Sequence, residues 1–138
     1  AKAYGYTGME LADILKGNNI FCEFSDPDYL VLMPTPETGK AGLERIPQVL
    51  ESIPRKTEKK DCPPKYTKPE RVMSVREATM SPSEILPTEE CEGRILSAVT
   101  VGCPPAVPIV VCGERITKEV LDCFKYYGIT NCSVVLEG

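Results

Sequence analysis

Apolar residues recur at helical spacing in several stretches of this chain, and in others they alternate or run together. In "TGMELADILKG", Met9, Ala12 and Leu15 share one face. Thr7 with Glu10 three residues on has capping-box spacing, and Gly17 is a natural stop, so a short amphipathic helix is predicted over 7–17. "IFCEFS" then alternates, "DPD" supplies a turn and "YLVLM" is fully apolar, the pattern of a β-hairpin. From Thr38 to Ile53, Leu43, Ile46, Leu50 and Ile53 again follow helical spacing, with Pro47 inside the pattern, where the helix either kinks or restarts.

Later in the chain, Ser74 with Glu77 and Ser81 with Glu84 repeat the capping-box spacing, the second with Pro82 at the favoured first helical position. Two further helix starts are predicted there, the second ended by Pro87. "RILSAVTV" reads as a strand. The stretch "CPPAVPIVVCGERIT" follows, in which Pro104, Pro105 and Pro108 stiffen the approach to a short strand, "IVV". Thr117 can cap a helix whose apolar side holds Val120, Leu121, Phe124 and Tyr127, closed by Gly128, and "CSVVL" reads as a last strand. Short strands mixed with helices, joined by hairpin-type links, give an α+β class: two small mixed subdomains with short, mainly antiparallel sheets and flanking helices.

The segment 54–70, "PRKTEKKDCPPKYTKPE", is rich in Pro and Lys and nearly free of core-forming residues, which marks it as a linker. The predicted organisation is 1–53, a linker over 54–70, and 71–138. Charge follows the same division. Between Arg55 and Arg71 there are seven cations and three anions, leaving nine cations against seventeen anions elsewhere. A basic run can meet nucleic acid, but the acidic remainder would repel phosphate, so a solvated linker and no nucleic-acid partner are expected. No apolar run approaches the roughly 18 residues a membrane span requires, and no membrane partner is expected. The chain opens on "AKAYGYTG" rather than on Met, which suggests a piece of something longer.

Seven cysteines, at 22, 62, 91, 103, 112, 123 and 132, include no CxxC pair. Several sit in apolar runs, where a thiol acts as a small hydrophobe, so reduced core residues of a cytoplasmic protein are expected, with no metal site. There is no histidine. Ser-His and Cys-His nucleophile pairs, histidine metal centres and imidazole acid–base chemistry are thereby excluded from this chain.

Taken together, "TGMELADIL", "FCEFSDPDYLVLMPTP", "SVREA", "EGRILSAVTVGCPPAVPIVVCGERI" and "YYGI" resemble the C-terminal part of the Orn/Lys/Arg decarboxylases, the bacterial fold-type-I enzymes that use pyridoxal phosphate. The resemblance implies that 1–53 is the end of the pyridoxal-phosphate-dependent portion, its small domain, and that 71–138 is the family's C-terminal domain. It also implies a parent enzyme that turns arginine, lysine or ornithine into the corresponding amine and carbon dioxide. Such enzymes form homodimers or larger rings in the cytoplasm. The cofactor would absorb the electron pair left by decarboxylation. The family's Ser-x-His-Lys signature cannot lie in a chain without histidine, and Lys16 and Lys40 are not set in apolar sequence. The chain is therefore expected to hold no catalytic and no cofactor-binding residue, to bind no pyridoxal phosphate by itself, and to be inactive alone.

One residue is singled out as substrate-binding. A basic substrate offers a distal cation, and a carboxylate placed rigidly can pair with it. Glu114, after the proline-stiffened strand and beside Gly113, fits that role by resemblance and placement. It could instead pair with Arg94 or Arg115, or simply precede the Thr117 helix. In "EGRI", Gly93 is expected to make a turn fixed by Glu92 and Arg94, and "SVREA" is assigned no chemistry. The competing readings are a free-standing small-molecule-binding or regulatory module that keeps this fold without catalysis, and a thiol or metal protein built on the cysteines.

Overall fold

The computed structural model describes residues 1–98 and 108–137. The fold is α+β. Among the described residues, four α-helices accompany a two-stranded and a three-stranded antiparallel sheet, and the chain divides into two compact units, Ala1–Cys62 and Pro63–Gly138.

In the first unit, α1 (Gly8–Gly17) starts as its sequence predicts. The Thr7 hydroxyl accepts the Glu10 N–H at 3.1 Å and Glu10 accepts the Thr7 N–H at 2.7 Å. Strands β1 (Phe24–Ser25) and β2 (Leu30–Val31) form the expected hairpin, shortened to two residues each. Its turn is set by Asp26, whose Oδ1 accepts the N–H groups of Asp28 and Tyr29. Gly8 lies so close to the Tyr29 carbonyl that no Cβ fits there. Helix α2 (Gly39–Ser52) runs through Pro47 without a restart, and none of its side chains is buried. Tyr6 and Leu15 are the only buried hydrophobic side chains of this unit.

The second unit holds the core. Leu96, Ile109, Val110, Ile116, Val120 and Phe124 pack with Val134 and three cysteines, Cys91, Cys123 and Cys132. Helix α3 (Val75–Met80) has the predicted capping box, Ser74 with Glu77. The second box is not used, and residues Ser83–Pro87 form strand β3 instead of a helix. Its would-be cap is already committed: the Ser81 hydroxyl donates to the Glu77 carbonyl, closing α3. Alternation then favours pairing. Glu84 and Leu86 are half-buried between exposed neighbours, and all five residues align with strand β5 (Asn131–Val135).

Strand β4 (Leu96–Ala98) lies on the other side of β5, giving the order β3-β5-β4. Helix α4 (Lys118–Tyr126) begins at Thr117, whose hydroxyl accepts the Val120 N–H, and buries Val120, Cys123 and Phe124. The stretch "IVV" is not a strand. Ile109 and Val110 are buried, but the N–H and C=O of Val111 are both taken by Glu114, so they cannot join a ladder.

The stretch read as a linker has no regular secondary structure, yet it is tied down. Lys56 N–H donates to the Tyr4 carbonyl and Lys59 N–H to the Lys2 carbonyl, while the Tyr6 hydroxyl donates to the Pro54 carbonyl at 2.7 Å. In the second unit, Glu119 accepts both the N–H and the hydroxyl of Thr67, and Cys123 donates to the Pro64 carbonyl.

Candidate functional site

Glu114 ends a tight turn. Its N–H donates to the Val111 carbonyl at 3.1 Å, and Gly113, at φ 86°, occupies the position that needs left-handed backbone. The Glu114 side chain then reaches back, and Oε2 accepts the Val111 N–H at 3.0 Å. Only 5% of Glu114 is exposed. The backbone around it is held on two sides. Leu96 N–H donates to the Glu114 carbonyl and Gly113 N–H to the Leu96 carbonyl, while Val72 and Met73 N–H groups both reach the Gly113 carbonyl.

Among the described residues no cation pairs with Glu114. Arg94 is held by Glu84 at 2.7 Å and Glu137 at 3.2 Å, and it also donates to the Val135 carbonyl. The Glu84 hydrogen bond raises the guanidinium pKa further above its already high value. Arg115 faces Glu70 and donates to the Gly93 carbonyl. Glu92 is not the partner of Arg94: the "EGRI" turn forms at Gly93, φ 81°, but the arginine fixes strand ends instead. The sequence brought these charges close together without showing which would meet, because the partners Glu84 and Glu137 arrive through the β3–β5 pairing.

The cysteines divide by environment. Cys91, Cys112, Cys123 and Cys132 are buried and free, Cys22 is half-buried and Cys62 is exposed. Cys103 lies outside the described residues. Burial, with the neighbouring Cys132 thiol, pushes Cys91 up to about 11. Burial also raises Cys123 and Cys132. High-pKa thiols withdrawn from water are poor nucleophiles, so Cys91, Cys123 and Cys132 serve as core.

A concavity of about 340 Å³ opens elsewhere on the second unit, and sequence reasoning did not find it. It lies between the 3-10 turn Thr88–Glu90, one face of α4 and the return into β5. Leu121 and Ile129 supply its apolar lining, and buried Thr88 braces it by donating its hydroxyl to the Ile129 carbonyl. Lys118, Leu121, Asp122 and Lys125 stand three and four residues apart and therefore share a helix face. Glu89 and Glu92 line the concavity as well, whereas Glu114 does not. A surface helix face of mixed charge gives no sequence signal of this kind until the turn opposite it is placed.

Comparison with known proteins bears on the second unit above all. Residues 58–132 match the family described as Orn/Lys/Arg decarboxylase, C-terminal domain. An arginine decarboxylase of Bacillus subtilis (strain 168) is 29% identical over 125 residues, which cover 86% of this chain and 26% of that protein. The uncharacterized protein YaaO of the same organism is 32% identical over 125 residues, covering 83% of this chain and 25% of that protein. The chain thus spans about a quarter of the length of these curated relatives. With more than half of its residues matched, including the 3-10 turn, β3, β4, the Glu114 turn and α4, the chain belongs to the family of Orn/Lys/Arg decarboxylase C-terminal domains.

Proposed function

We propose that this chain is the C-terminal portion of a pyridoxal-phosphate-dependent decarboxylase of arginine, lysine or ornithine, and that it is inactive alone. The observation that carries the reading is the family match over 58–132, joined to an arginine decarboxylase relative of which the match covers 26%. In this reading residues 1–53 end the cofactor-dependent portion as its small domain, and 71–138 border the active site and support assembly of a cytoplasmic homodimer or larger ring.

The residues of this chain do not fit the cofactor themselves. A lysine that bonds it must lose its proton, which needs desolvation or neighbouring cations. Lys2 and Lys59 are half-buried, and the other lysines are exposed. Lys2 is held by Asp28 and Asp61, and Lys59 by Glu10, so each is committed to carboxylates rather than set in an apolar pocket. No step of the reaction is therefore assigned to this chain.

Within the same reading Glu114 is the anionic group for the distal cation of the substrate. Its Oε1 accepts no hydrogen bond from a described residue, while the Val111 N–H fixes Oε2. A carboxylate held this way needs little reordering to bind.

The test compares the 138-residue chain with the longer protein, each supplied with pyridoxal phosphate and arginine, lysine or ornithine. Carbon dioxide release and the visible absorbance of lysine-bound cofactor are expected from the longer protein only. Release by the chain alone, or a longer protein without either signal, overturns the proposal. For Glu114, Glu114→Gln in the longer protein keeps the turn's acceptor and removes the charge, so KM for the basic substrate should rise at least tenfold. An unchanged KM removes Glu114 from the role.

A further inference from the structure

Five charged side chains surround the concavity on the second unit: Lys118, Asp122 and Lys125 from α4, with Glu89 and Glu92 opposite. None of them forms an ion pair with a described residue, although Lys118–Asp122 and Asp122–Lys125 have the helical spacings at which ion pairs commonly form. Several other charges of this unit are engaged elsewhere. Glu84, Arg94 and Glu137 are joined to one another, and so are Arg115 and Glu70, while Glu119 is engaged by Thr67. Five charges without an ion-pair partner among the described residues thus ring this opening, over an apolar lining of Leu121 and Ile129.

The volume, about 340 Å³, is at the lower end of the range of small-molecule sites. Two cations and three anions give the rim a net charge of −1. The ligand that complements it has one anionic and two cationic ends and a short apolar stem. We infer that this concavity binds a basic amino acid. Its carboxylate would be taken by Lys118 and Lys125, its two cations by Asp122 and the glutamates, and its methylenes would lie along Leu121 and Ile129. The inference rests on the reading above for the class of ligand, and it adds a second site for that class, separate from Glu114. Such a site would let the concentration of substrate bear on the C-terminal domain itself. Binding is expected to be weak, with Kd on the order of a millimolar, because each contact is an exposed ion pair.

The test is an NMR titration of the full 138-residue chain with L-arginine, with agmatine, which lacks the carboxylate, and with glutarate, which lacks the cations. Saturable shifts are expected at the amides of Leu121, Ile129 and Thr130 with arginine. They should be several-fold weaker with either control and weakened further by added salt. The double variant Lys118→Ala/Lys125→Ala should bring arginine down to the level of agmatine. Both lysines are exposed, so the fold should survive, and the unchanged shifts of the buried Val120 and Val134 amides would confirm it. Absence of saturable shifts, shifts elsewhere, equal affinity for arginine and agmatine, or a double variant that binds like the parent each overturns the inference. Because the readout is binding to this chain, its failure leaves the decarboxylase reading to be judged on the activity of the longer protein.

Discussion

Gly113→Ala tests the account of the turn most directly. The residue has φ 86°, which disfavours any side chain, and the added methyl would also meet backbone. A Cβ there would overlap the Met73 carbonyl oxygen and sit 3.1 Å from its carbon and 3.2 Å from the Ser74 oxygen. That segment cannot easily retreat, because Val72 and Met73 N–H groups both bond the Gly113 carbonyl, at 2.9 and 3.2 Å. The left-handed backbone costs about 1–2 kcal/mol, and overpacking against a tethered backbone adds about 1–3 kcal/mol. Gly93→Ala is the internal control. Its φ is 81°, but nothing lies within 4 Å of the new methyl, so only the first cost applies. The assay is urea unfolding of both variants, followed by amide signals of α4 and β5 so that the second unit is read by itself. Gly113→Ala should lose about 2–5 kcal/mol and Gly93→Ala about 1–2 kcal/mol. If Gly113→Ala loses no more than Gly93→Ala, the close packing of residues 72–74 on this turn is wrong.

Further outcomes follow from the same structure. Glu114→Ala should cost about 1–3 kcal/mol by leaving the Val111 N–H unsatisfied, whereas Glu114→Gln, which keeps an acceptor, should cost less than half as much in the same unfolding assay. Alkylation at pH 8 read by mass spectrometry should label Cys62 first and leave Cys91, Cys123 and Cys132 unlabelled until urea is added; prompt labelling of Cys91 would contradict its burial. A thiol whose folded pKa is raised holds its proton more tightly in the folded state. Stability from Cys91 is therefore complete below about 9 and is lost as pH rises toward about 11, visible as a falling urea midpoint across that window. Hydrogen exchange should be fast along α2, which buries no side chain, and slow in α4 and β5, and slow exchange in α2 would refute the description of the first unit.

Much of this fold was legible because its signals are local. The Thr7 and Ser74 capping boxes, the Thr117 cap and the "DPD" turn each depend on residues within a few positions of one another, and all formed. The misreadings came from long-range competition. Ser81 has the spacing of a cap, but its hydroxyl belongs to the end of α3 and the following residues belong to β5. "IVV" has the composition of a strand, but Val111 is claimed by the side chain three residues ahead. At the site, the sequence singled out Glu114 and the rigidity around it, yet neither the direction of its carboxylate nor the partners of Arg94 could be read from spacing. The concavity was invisible for the same reason, since its two walls are about thirty residues apart in sequence and meet only in the fold.

The proline- and lysine-rich stretch that spans the boundary of the two units is anchored at its near end by Tyr4 and Tyr6 and at its far end by Glu119 and Cys123. Where an experimenter trims the polypeptide therefore matters more than its composition suggests. A recombinant C-terminal domain begun at Arg71, where the charge run stops, would shed Pro64, Thr67 and Glu70 and strand the thiol, carboxylate and guanidinium that hold them. Begun at Pro63, it keeps its own belt fastened.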